Sequence, residues 1–81
     1  MLEESFEISI LFDFYGPLLS ERQQEFVRLY HDDDCSLTEI AEATGVSKQA
    51  VSSALKSAEK KLRFYEEKLG LVARWKKENG I

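Results

Sequence analysis

Apolar residues recur at three- and four-residue spacing along almost the whole chain. No segment shows the β-branched alternation, closed by turn pairs, that marks a strand, so the pattern predicts an all-α domain. Glycine and proline punctuate it sparsely, at Gly16-Pro17, Gly45, Gly70 and Gly80. The first helix is expected from about residue 2 to 15, ending where Pro17 pushes its predecessor out of the α region. Leu2, Phe6, Ile10 and Phe14 form one stripe at four-residue steps, and Ile8, Leu11, Phe12 and Tyr15 cover a second face. A helix apolar on two faces is buried on two faces. In so short a chain the fold itself covers one, and a second copy is the expected cover for the other.

Ser20 with Gln23 three residues on is a capping box, so a second helix opens there and carries Phe26, Val27, Leu29 and Tyr30 toward His31. Asp32-Asp33-Asp34 breaks the pattern. Ser36 with Glu39 is another capping box and opens a short third helix that ends at Thr44-Gly45, with the acidic loop at its positive end. Ser47 caps a fourth helix that nothing stops until Gly70. Along it and just past it, Val51, Leu55, Ala58, Leu62, Tyr65, Leu69 and Val72 alternate steps of four and three, the seam of a helix packed lengthwise on others. A last helix, about Leu71 to Glu78, carries Arg74-Trp75-Lys76-Lys77. The expected architecture is a five-helix bundle with a long fourth helix.

The informative stretch is S-L-T-E-I-A-E-A-T-G-V-S-K-Q-A-V-S-S-A-L-K, residues 36–56. Two short amphipathic units joined by a tight turn containing glycine form a helix-turn-helix. Ala41 is small enough for the helices to cross closely, Gly45 gives the turn its backbone freedom, and Ile40, Val46, Val51 and Leu55 fill the wedge between them. The outward positions that follow are Ser47, Lys48, Gln49, Ser52, Ser53 and Lys56, polar groups suited to a major groove and here assigned as DNA base contacts. Arg22, Lys60 and Lys61 are assigned to phosphates. The same residues also suit an αα-corner that binds no nucleic acid, because a fold does not fix a function.

With 81 residues the chain is one domain, residues 1–81, with the helix-turn-helix at about 36–56 and a helical extension at about 57–79. A hydrophobic share of 43% against 32% charged residues excludes intrinsic disorder. One cysteine and one histidine exclude an internal disulfide and a His/Cys zinc set. No 18-residue apolar run exists and the start is acidic, unlike a signal peptide, so a reducing cytoplasm and no membrane insertion are expected. A domain this small without metal or disulfide calls for oligomerisation, and a homodimer is the physical expectation. Its contact is assigned to Phe6, Ile10, Phe14, Leu62, Tyr65, Leu69 and Val72.

The formal net charge of -4 argues against a nucleic-acid binder. Divided at Gly45, it reverses meaning. Residues 1–45 hold two basic against eleven acidic side chains, and residues 46–81 hold nine basic against four acidic. Lys48, Lys56, Lys60, Lys61 and Arg63 lie on or just after the outward stretch, where phosphates would run. So limited a basic patch predicts modest, salt-sensitive affinity.

Other clusters read blandly. Asp32-Asp33-Asp34 lacks the ligand spacing of a calcium loop and reads as a solvated turn. His31 and Cys35 have no third orienting group, so neither catalysis nor a cofactor is expected. Tyr15, Tyr30, Tyr65 and the phenylalanines fall at core spacing. Trp75 among basic residues could grip single-stranded RNA, a membrane surface or a partner, but reads best as an amphipathic end laid on a neighbouring subunit.

The segment 36–62, with E-I-A-E-x-x-G-V-S-x-x-A-V and S-A-E-K-K-L, resembles the helix-turn-helix of region 4 of bacterial sigma factors. Over about residues 6–71 the chain is more similar to the YlxM-like family of small helix-turn-helix proteins, through L-F-D-F-Y-G-P-L-L-S-E-R-Q, L-Y-H-D-D-D-C-S-L-T-E-I-A-E, V-S-K-Q-A-V and F-Y-E-E-K-L. That resemblance implies a small cytoplasmic helical dimer that regulates the signal recognition particle pathway, through DNA or RNA. It also implies a longer C-terminus than this one. The rival expectation is a module that docks on a signal recognition particle protein or its RNA without sequence-specific DNA binding.

Overall fold

The computed structural model describes residues 2–81, with side chains from Phe6 onward. Among the described residues five α-helices form: α1 (Leu2–Tyr15), α2 (Glu21–Val27), α3 (Leu37–Thr44), α4 (Lys48–Leu69) and α5 (Leu71–Glu78). No strand occurs among the described residues. Both capping boxes form as the sequence demands: Gln23 N–H donates to Ser20 Oγ at 3.1 Å and Ser20 N–H to Gln23 Oε1 at 3.1 Å, with the same exchange between Ser36 and Glu39.

The chain between α1 and α2 tightens into a 3₁₀ turn, Gly16–Leu18, with Pro17 at its start. Gly16 is buried against Phe12, whose ring would lie 3.0 Å from any Cβ placed there. The second helix departs from expectation at its far end. It widens at Arg28–Asp32 into a π-helical turn, with Asp33 N–H donating to Arg28 O at 3.1 Å, and ends within the acidic run that breaks the pattern.

α4 is the axis of the molecule. Its buried side, Val51, Leu55, Ala58 and Leu62, meets Ile8, Leu11 and Tyr15 of α1, Phe26 and Val27 of α2, Ile40 of α3 and Val72 of α5 in one core. Among the described residues no helix is long and apolar enough to cross a membrane.

Two dimer assignments fail here. Leu62 is fully buried and Val72 is 5% exposed, both inside the chain's own core. The periodic seam continues across Gly70, but the chain turns there with φ at +63° and α5 folds back, so Val72 plugs its own domain. The stripe of α1 that carries Phe6, Ile10 and Phe14 is covered from within only in part, since Phe6 remains exposed. Trp75 sits edge-on to Phe14, ring centres 5.9 Å apart, and the Arg28 guanidinium lies 5.9 Å from the centre of the Phe12 ring. The indole therefore rests on its own subunit. Leu2, the first member of the outer stripe, has a side chain outside those described.

The junction at Gly70 is built on Glu66. Gly70 has no side chain to cap α5, so Glu66 Oε1 accepts from Val72 N–H at 3.0 Å and Glu66 Oε2 from Ala73 N–H at 3.0 Å. Tyr15 donates its hydroxyl to Glu66 Oε1 and accepts from Leu71 N–H at 3.1 Å. Burial works against the Glu66 charge, yet these bonds, with Lys76 nearby, hold its carboxyl below the usual range. Burial first, and then Glu66, push the Tyr15 hydroxyl up.

Candidate nucleic-acid interface

Three local devices fix the angle between α3 and α4. Gly45 closes α3 in the left-handed region, φ +73°, with its N–H on Ala41 O at 2.9 Å. Ser47 then caps α4 by accepting from Ala50 N–H at 3.1 Å. Between them Ile40, Val51 and Leu55 are buried and Val46 is packed against the core, so the wedge read from the sequence is filled as expected.

That packing turns the start of α4 outward. Ser47, Lys48, Gln49, Ser53 and Lys56 are exposed and Ser52 is half-buried. Ala50 shares this exposed stretch and is not among the expected contacts, because an alanine carries no polar signal. A methyl at that position suits the methyl of thymine.

The expected phosphate contacts gather one to two turns further on. Gln23 Nε2 donates to Ser57 Oγ at 3.4 Å and Lys61 Nζ to Gln23 Oε1 at 3.5 Å, so the start of α2 lies along the middle of α4. Arg22 is thereby brought to the flank that carries Lys60 and Lys61, all three exposed. Arg22 is already engaged, by Glu25 Oε1 at 3.0 Å and the face of Phe26 at 5.4 Å. Arg63, counted above in the positive field of this stretch, is engaged as Arg22 is. It pairs with Glu7 Oε1 at 3.2 Å on the α1 side of the helix, also at an exposed position.

The remaining dimer assignments divide by exposure. Phe6 is 69% and Leu69 56% exposed, while Ile10, Phe14 and Tyr65 are half-buried. His31 does not meet Cys35 as a base meets a nucleophile. Its Nε2 lies 3.2 Å from Glu59 Oε2, bracing the widened turn after α2 against α4. Burial, with Glu39, Asp33 and Asp34 around it, pushes the Cys35 thiol up, away from the thiolate a nucleophile needs.

Residues 2–81 match the family described as "putative helix-turn-helix protein, YlxM / p13 like". The chain belongs to this family. Among its relatives, the UPF0122 protein of Symbiobacterium thermophilum is 58% identical over 66 residues, covering 82% of this chain and 62% of that one. The UPF0122 protein of Desulforamulus reducens is 51% identical over 78 residues, 96% of this chain and 67% of the relative. That of Halalkalibacterium halodurans is 47% identical over 81 residues, all of this chain and 74% of the relative. The chain thus spans about two thirds of the length of the first two. The family description names a helix-turn-helix, and in this chain α3, the Gly45 turn and the start of α4 are two helices joined by a tight turn.

Proposed function

We propose that this chain is a DNA-binding regulatory protein. Ser47, Lys48, Gln49, Ser52, Ser53 and Lys56 read base edges in the major groove, and Arg22, Lys60 and Lys61 hold phosphates. One observation carries the reading: a run of exposed polar and cationic side chains at the start of α4, on a helix whose other side is locked to α3 by Ile40, Val51 and Leu55. Phosphate contacts set register while the groove contacts set sequence. The protein acts in the cytoplasm as a homodimer joined through Phe6, Ile10, Phe14, Tyr65 and Leu69. The pathway it regulates is that of the signal recognition particle, a reading supported by the resemblance to YlxM-like and sigma region 4 sequences.

The graded test is direct. Gln49→Ala is expected to alter preference at one base position, by about 1–3 kcal/mol. Lys60→Ala should weaken all duplexes alike and reduce the salt slope by about one. A genomic DNA selection followed by titration at several salt concentrations reads both effects, and binding unchanged in both variants overturns the assignment of the recognition helix. The acidic first half favours a second reading, docking on signal recognition particle components without sequence-specific DNA binding. A pull-down against the particle's GTPase, alongside the selection, separates the two.

A further inference from the structure

Beyond Lys56 the outer side of α4 changes character. Ser57, Lys60, Lys61, Phe64 and Tyr65 line a hollow of about 430 Å³. Its floor is aromatic: Phe64 is 52% exposed, with its ring edge-on to Tyr65 at 6.0 Å, and Tyr65 continues inward onto Tyr15 at 6.1 Å. Its rim is cationic. Lys60 and Lys61 are exposed, and Lys68 Nζ stands 5.6 Å from the centre of the Phe64 ring. Lys60 enters no ion pair among the described residues, and Lys61 reaches only the neutral Gln23 amide.

A duplex uses the rim and wastes the floor, because its sugar-phosphate edge has no large apolar group to seat against Phe64. Water over an exposed phenyl ring is better displaced by carbon. The ligand that uses both features carries carboxylates for the three lysines and one large apolar side chain for the ring. The hollow is within the size range of pockets that receive such an anchor.

We infer that this hollow docks an acidic segment of a partner protein, anchored by one aromatic or large aliphatic side chain, and that the docked segment takes Lys60 and Lys61 away from phosphate. Docking and DNA binding then exclude one another. The exclusion rests on the DNA-binding reading above; the docking does not.

The test uses the full chain and a fluorescent peptide of glutamates around one phenylalanine, with two twins: phenylalanine replaced by serine, and glutamates replaced by lysines. Anisotropy should show the phenylalanine peptide binding about tenfold tighter than its serine twin, and the lysine twin not at all. Phe64→Ser should erase the phenylalanine advantage, and Lys60→Glu with Lys61→Glu should weaken binding at least about tenfold. Phe64 lies outside the buried core, so its replacement leaves the fold in place. The bound peptide should displace labelled duplex DNA.

Equal binding of the phenylalanine and serine peptides overturns the inference, and so does indifference to Phe64→Ser. Displacement of the peptide by rising concentrations of the wild-type chain, but not of the Phe64→Ser chain, overturns it in favour of a second copy. Phe64-dependent binding of a single-stranded oligonucleotide that the peptide does not displace overturns it in favour of nucleic acid. If no duplex binds under any salt condition, the DNA reading falls and takes the exclusion with it, while the peptide measurements still decide the docking.

Discussion

Gly45 stands at φ +73°, and an added Cβ would meet nothing within 4 Å. Its replacement therefore isolates backbone strain from crowding. Gly45→Ala is expected to cost about 1–2 kcal/mol, read as a lower midpoint of thermal unfolding, with Gly45→Asn milder because asparagine tolerates that region. The same residue scale shows what a sequence discloses. Ser20 with Gln23 and Ser36 with Glu39 are legible because every partner lies within three residues, so spacing alone states the bond. Lys48, Gln49, Ser53 and Lys56 are legible as an outward set because helical phase, fixed by Val51 and Leu55, dictates their direction. Glu66 is not legible. Its hydroxyl donor, Tyr15, is 51 positions away, and no local pattern announces that a carboxylate inside α4 caps the helix that follows.

Among the elements, α5 is held by a carboxylate whose bonds respond to acid. The Glu66 carboxyl titrates lower in the fold than its ordinary 4.5, so its stabilisation is complete above that value and is lost as pH falls below it through the folded titration. Amide exchange in α5 is expected to accelerate in that acidic window. Glu66→Gln should loosen α5 already at neutral pH, by about 1–2 kcal/mol, and flatten the acid response. If exchange in α5 is indifferent to both pH and substitution, Glu66 does not hold it. The same element explains why the seam of α4 misleads. Steps of four and three continue through Leu69 to Val72, but period says only that residues share a face, not which surface covers it. The turn at Gly70 decides that, and it sends Val72 and Trp75 back onto α1.

For the whole molecule, the charge division and the exposed apolar set are the features that bear on assembly. With Leu62 and Val72 withdrawn into the core, a homodimer must rest on Phe6 and Leu69, with help from Ile10, Phe14 and Tyr65. Sedimentation at micromolar concentration is expected to give twice the chain mass, and Phe6→Ser to shift it toward the single chain. A stable monomer in the wild type removes the homodimer. The all-α class and helix order were readable because they follow from local period and caps. The π-helical turn at Arg28–Asp32 was not, because it depends on how α2 meets α4 through His31 and Glu59.

α4 runs unbroken for 22 residues, about 33 Å. Its Ser47 end and its end anchored at Gly70 therefore move as one lever arm. A tilt of about 5° about the Gly70 end swings Ser47 by roughly 3 Å, close to the 3.4 Å rise between stacked base pairs. On the DNA-binding reading proposed above, whatever reseats α5 would thus act on sequence reading as a shift of phase along the groove, without touching a single residue proposed to face a base.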